Sequence, residues 1–196
     1  EPLLLADAMI HEMYHNRLFF LEEIAPFFAA VEDNLMLAGQ YYSPWREDLR
    51  PLHGLLHAVY VNVPLWHFWK AAAQDVSIEG PRRALVEDQI VRTEIQLAIG
   101  ARQLTDHARW SAFGAEVFDA LEKEIRWIRQ QNVEAGRPVE VPAMRLDEDG
   151  GALPATHREN GRPLSVREVL LQHARAYDTC GQRPDLARII DRTVNS

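Results

Sequence analysis

A chain of 196 residues, 47% hydrophobic and 26% charged, has the size and composition of one globular domain with a substantial buried core. Its formal net charge of -8, with arginines scattered from Arg17 to Arg192 among acidic neighbours, excludes a basic nucleic-acid footprint. One cysteine, Cys180, excludes a disulfide framework and a cysteine-rich zinc site, and reads as an incidental thiol in a cytoplasmic protein. No apolar run is long enough to span a bilayer, and no signal peptide is visible. The chain opens at Glu1 without a methionine, so further residues upstream are expected.

Apolar positions from Leu3 to Phe28 recur at helical spacing and predict one long helix, with Pro26 near its end. Residues Asn34 to Arg50 hold Gly39, Pro44, Tyr41, Tyr42 and Trp45 without a sustained period, and read as an ordered loop. Pro51 suits the first position of a second helix extending to about Ala73, which Pro64 should kink or divide. Gln74 to Gly80 connects it to a third helix from Pro81 to about His107. A fourth runs from Ala112 to Glu134, with Gly136 as its stop. Arg137 to Pro163 carries four prolines and reads as a loop or mobile segment, with Pro138 to Met144 its nearest approach to a strand pattern. Short helices follow at Ser165–Thr179, where Ser165 and Glu168 match a capping box, and at Pro184–Thr193. The expected fold is mainly α: a single-domain helical bundle over residues 1–196, with no internal repeat.

The first helix contains His11, Glu12 and His15 as HExxH. Four residues advance a helix by slightly more than one turn, so both imidazoles project from one face and can meet a single ion. Burying two histidines among Met9, Ile10, Leu18, Phe19 and Leu21 without a partner would be costly, which favours a divalent transition metal. A third ligand is required. The metzincin extension is excluded, because its glycine and histidine positions hold Leu18 and Leu21. Glu94 on a later helix would give a gluzincin set, while LHGLLH offers His53 and His57. Of these His57 is favoured, since Gly54 one turn earlier would let helices approach closely. His67, between Trp66 and Phe68, reads as a packed aromatic, and His107, His157 and His173 as surface residues.

YYSPWR places Arg46, and four residues later Arg50, in an aromatic-rich loop just before the candidate ligands. A guanidinium fork matches a carboxylate and would anchor an acidic cosubstrate. The simpler reading pairs Arg46 with Glu47 or Asp48 on the surface, and both readings stay open.

HEMYHNRLFFLEE followed by YYSPWREDLRPLHGLLHAVY resembles the HExxH-motif proteins encoded beside ribosomally made peptide natural products, over residues 3 to 70. The resemblance implies a non-haem iron(II) dioxygenase that uses 2-oxoglutarate to β-hydroxylate side chains of a precursor peptide. It carries over His11 and His15 as iron ligands, His57 as the third, and Arg46 or Arg50 as the grip on the 2-oxoglutarate carboxylate. Phe19, Tyr42, Trp45 and Tyr60 would line a dry pocket, and Glu12 would orient a ligand or handle a proton. The competing reading is a zinc metallopeptidase with Glu12 as general base. A third is a metal-stabilised helical binding module.

Overall fold

A computed structural model describes residues 2–29, 41–46, 48–134, 143–146, 152–154, 158–159 and 162–179. Five helices form the frame: α1 (Pro2–Ile24), α2 (Leu52–Ala72), α3 (Gly80–His107), α4 (Ala112–Glu134) and α5 (Val166–Thr179). Three antiparallel hairpins join them, each of two short strands: β1 (Tyr41–Ser43) with β2 (Asp48–Arg50), β3 (Met144–Leu146) with β4 (Ala152–Pro154), and β5 (Arg158–Glu159) with β6 (Arg162–Pro163). The expected helical bundle is therefore present.

α2 is the central element, packing on α1, α3 and α4. Leu52, Leu55, Leu56, Val59, Trp66 and Trp69 are buried around it, which is why its sequence is apolar on nearly every side. Pro64 lies within α2 and does not divide it. α1 runs antiparallel to α2, with Asp7 beside Trp69, His15 beside His57 and Glu22 beside His53. Only Leu18 of α1 is buried, and Met9 is 65% exposed, so Met9 does not wall in the histidines.

α1 ends at Ile24 rather than Phe28, because a residue preceding proline, here Ala25, is pushed out of helical conformation. The chain then turns along the start of α4. Ala29 N donates to the carbonyl of Arg109 (2.8 Å) and Ser111 N to that of Phe27 (2.9 Å). Ser111 Oγ accepts from Gly114 N (2.9 Å), capping α4. Gly114 is obligatory here: a Cβ would stand 1.8 Å from the Phe27 carbonyl oxygen.

Part of the expected loop before α2 is a hairpin. Tyr42 pairs with Leu49 and Ser43 with Asp48, bringing the chain round through Pro44, Trp45 and Arg46. Two buried glutamines fasten it to α3: Gln96 Nε2 donates to the Pro44 carbonyl (2.9 Å) and Gln103 Nε2 to that of Tyr42 (2.8 Å). Trp45 fits against Gly100, where a Cβ would lie 2.8 Å from Trp45 Cη2 and from Val59 Cγ2. The close approach expected at Gly54 is not made there, since a Cβ would meet only the Arg50 side chain at 3.7 Å. Glycine matters instead at positions 100 and 114.

Tyr42, Val91, Ile95 and Ile99 form a second core on another side of α3, covered by Ala143, Leu164, Val166, Val169 and Leu170. The segment 137–163, expected as loop, contributes the β3–β4 and β5–β6 hairpins. Ala143 N donates to the Leu164 carbonyl (2.9 Å). The capping box opens α5 as expected: Ser165 N donates to Glu168 Oε2 (2.7 Å) and Glu168 N to Ser165 Oγ (3.3 Å). Cys180, His157 and the helix expected at 184–193 lie outside the described residues, as does the side chain of His173. Among the described residues no helix is long and apolar enough to cross a membrane.

Candidate metal centre

α1 and α2 bring five side chains of metal-ligating type, His11, His15, Glu22, His53 and His57, to one seam. His11 and His15 lie four residues apart on α1, and Glu22 lies seven beyond His15, two turns further on the same side. His53 and His57 repeat the four-residue spacing on α2. Within α1, His15 Nε2 stands 3.0 Å from His11 Nε2, and across the helix pair His15 Nδ1 stands 3.2 Å from His57 Nδ1. His53 Nε2 is 2.5 Å from Glu22 Oε1, and His57 Nε2 is 3.5 Å from the same oxygen. Glu22, His53 and His57 each offer a ligand atom within 4.8 Å of the other two.

The donors suit a divalent ion. Two atoms bound about 2.0–2.1 Å from one zinc stand roughly 3.0–3.5 Å apart, the spacing found for His11–His15 and for His57–Glu22. His57 is 6% exposed, and its Nε2 is buried without a hydrogen-bond partner. A buried polar atom left so is costly, and a cation shared with Glu22 removes the cost. Burial, then the charge of His53, lowers the His57 pKa to about 4, so the ring stays neutral and able to coordinate. Burial and His11 lower that of His15 as well, against the opposing charge of Glu12.

The depressed His57 pKa fixes a pH response for the metal-free chain. The unfolded chain, with His57 near 6.5, takes up a proton before the folded chain does. This contribution to stability is whole above about pH 6.5 and is lost progressively as pH falls towards 4. Thermal melts of chelator-treated protein are expected to drop over this window, and to drop less for His57→Phe.

The seam forms one wall of a cavity of about 560 Å³. Asp7, His11, His15 and Phe19 line it from α1 and His53, His57 and Trp69 from α2. Trp45, Arg46 and Arg50 come from the hairpin, and Gln89, Arg92, Thr93 and Gln96 from α3. Asp7 accepts a hydrogen bond from Trp69 Nε1 (2.9 Å), and burial raises its pKa. Arg50 Nε donates to Asp48 Oδ1 (3.1 Å), so Asp48 pairs with Arg50; Glu47, the other partner expected for Arg46, lies outside the described residues. Arg92 makes a two-pronged contact with the fully buried Asp88, at 3.0 Å from each nitrogen.

Most of the expected site residues meet here, but not all. His11, His15, His57, Arg46 and Arg50 share the cavity. Glu12 is exposed on α1 and outside the cavity wall. Of the aromatics expected to line it, Phe19 and Trp45 do, Tyr42 is buried in the second core, and Tyr60 faces Tyr14. Glu94 is outside both the wall and the ligand group; the carboxylate is Glu22, which sequence reasoning passed over. Its spacing from His15 was the available signal, because a search for a third ligand on later helices overlooks one on the same helix. His67 is exposed rather than packed into the core, with its ring stacked 5.7 Å from the exposed Trp127 and Nε2 2.9 Å from Glu124. His107 is exposed.

The architecture overturns the oxygenase reading drawn from the resemblance. Iron(II), 2-oxoglutarate-dependent dioxygenases bind their cofactors within a jelly-roll of β-strands. Here the candidate ligands sit on two helices, and the β-structure among the described residues amounts to three two-stranded hairpins and an isolated bridge between Phe28 and Trp110. A Glu/His/His group carried by helices suits a zincin-type centre, with zinc in place of iron(II) and 2-oxoglutarate. No protein-family model matches the chain, and no curated protein matches it.

Proposed function

We propose that this chain is a zinc-dependent hydrolase of the HExxH metallopeptidase kind, acting on a peptide. The observation that carries the reading is the convergence of Glu22, His53 and His57, with both histidines and those of HExxH on the wall of a cavity large enough for several side chains. His11, His15 and His57 are the ligands assigned from sequence, and Glu22 and His53 join them. Zinc, when bound, supplies a Lewis acid that polarises a carbonyl and acidifies water.

The chain's own residues do the rest. Phe19, Trp45 and Trp69 give the cavity apolar walls and limit water around a seated peptide. Arg46 and Arg50 set guanidinium groups in the same cavity as the candidate metal ligands, suited to a substrate carboxylate. Their placement in an otherwise acidic chain supports a peptide with an acidic side chain or a free C-terminus. Glu12 is assigned the proton-transfer role by its place in the motif.

Chelation should abolish hydrolysis of such a peptide, and zinc should restore it. Arg46→Ala and Arg50→Ala are expected to raise KM for an acidic peptide by about 10-fold or more, the scale of one charge-assisted contact, and to leave a neutral analogue unaffected. Activity that ignores chelators would sink the proposal.

A further inference from the structure

We infer that the outer face of α1 is an interface between two copies of this chain, which pair their first helices antiparallel about a point midway between Met13 and Asn16. α1 meets the core through Leu3, Leu4, Leu18 and Leu21. Its other side is apolar as well: Leu5, Met9, Met13, Phe20 and Ile24 are each between 57% and 72% exposed. Together with the exposed Asn16 they form a stripe covering about 100° of the helix circumference and most of its length. A helix apolar on both sides belongs between two layers, and among the described residues α1 is covered on one.

The stripe has the area of an interface. At about 200 Å² for a whole large apolar residue, its five apolar members expose roughly 650 Å². A protein that stays monomeric seldom shows a contiguous apolar patch above about 300–600 Å². One partner in an ordinary stable interface gives up about 800 Å².

The spacing selects the occupant. From Leu5 to Ile24 the stripe advances by 4, 4, 3, 4 and 4 residues, the same read from either end. A reversed copy therefore sets Leu5 opposite Ile24, Met9 opposite Phe20 and Met13 opposite Asn16. That reciprocity is what a twofold contact requires, and a foreign helix or a bilayer has no need of it. Glu12 and Glu23 border the stripe along one edge and Arg17 along the other, so the face lacks the basic rim that holds a helix on an anionic membrane. His15 and Glu22 turn toward α2, away from this face, so the pairing neither needs nor disturbs the metal cluster.

The test is sedimentation equilibrium of the full chain across micromolar concentrations, where twice the chain mass of 22.5 kDa is expected. Phe20→Glu sets a charge against Met9 of the second copy and should weaken the dimer by about 100-fold or more. Cysteine pairing reads the direction. In a Cys180→Ser background, positions 5 and 24 lie about 28 Å apart along α1. Leu5→Cys and Ile24→Cys should each resist oxidative crosslinking alone and form a disulfide dimer when mixed. A monomer throughout the range overturns the inference, and flotation of that monomer with phosphatidylcholine vesicles would give the face to a bilayer instead. A dimer indifferent to Phe20→Glu, or crosslinking of Leu5→Cys with itself, overturns the face or its antiparallel register. Should Phe20→Glu lose its helical circular dichroism, the parent mass and the cysteine mixture decide.

Discussion

Glu12→Gln is expected to keep its full zinc content and to lower kcat for peptide hydrolysis by about 100- to 10,000-fold, the cost of losing a general base. The substitution removes a charge and a proton acceptor but none of the ring nitrogens that hold metal. Asp7→Asn is the necessary comparison, because Asp7 is the carboxylate already on the cavity wall, with a pKa raised by burial. It should lower activity less, since the Trp69 Nε1 bond can be kept by the amide oxygen. Assays of both variants with metal analysis separate the roles: a collapse of turnover in Asp7→Asn alone would transfer the base from Glu12 to Asp7.

Gly114→Ala is expected to be among the most destabilising single-methyl additions in the chain. The new Cβ would sit 1.8 Å from the Phe27 carbonyl oxygen and 2.9 Å from Phe27 Cα, both backbone atoms that no rotamer change can move. Relief requires parting the α1 end from the α4 start, which also breaks the Ser111 N to Phe27 carbonyl bond. A loss of at least about 3 kcal/mol places it at the top of the overpacking range. At this chain length it lowers Tm by about 6–12 °C. Gly54→Ala is the control: its Cβ meets only the flexible Arg50 side chain at 3.7 Å, and thermal melts should shift little.

These two glycines show where the sequence was readable. Helical periodicity located α1 to α4 to within a few residues: α2 and α3 bury many apolar side chains, α4 buries Phe118, Ile125 and Ile128, and α1, with only Leu18 fully buried, packs Leu3, Leu4 and Leu21 against the core. It could not say which glycine lies under another chain segment, since that depends on which helices cross and where. Gly54 looked like the close contact beside a ligand, yet Gly100 receives Trp45 from a hairpin 55 residues earlier in the chain. The Tyr41–Arg50 hairpin was unreadable for a related reason. Its strands have three residues each, too few to display alternation, and glutamines far along α3 hold them.

The site divides in the same way. Spacing of four placed His11 with His15 and His53 with His57, and the meeting of His15 with His57 follows once α1 and α2 pack antiparallel. Glu22 was legible in principle, two turns beyond His15, but only its contact with His53 makes it a candidate ligand. Glu12 shows the converse: the motif names it, yet at the neighbouring position it points about 100° away from His11 round the helix. The oxygenase expectation failed because a resemblance over residues 3 to 70 carries the candidate ligands and the arginines, while among the described residues there it brings only the two-stranded β1–β2 hairpin and no jelly-roll to house that chemistry.

The most direct test of the zinc-hydrolase account is cleavage of a defined peptide mixture by the zinc-loaded chain in ¹⁸O-water under strict exclusion of dioxygen. The account predicts new peptide termini whose carboxyl groups carry ¹⁸O, lost on chelation and restored by zinc. A mixture left uncut, or products that appear only when dioxygen is admitted, would contradict it.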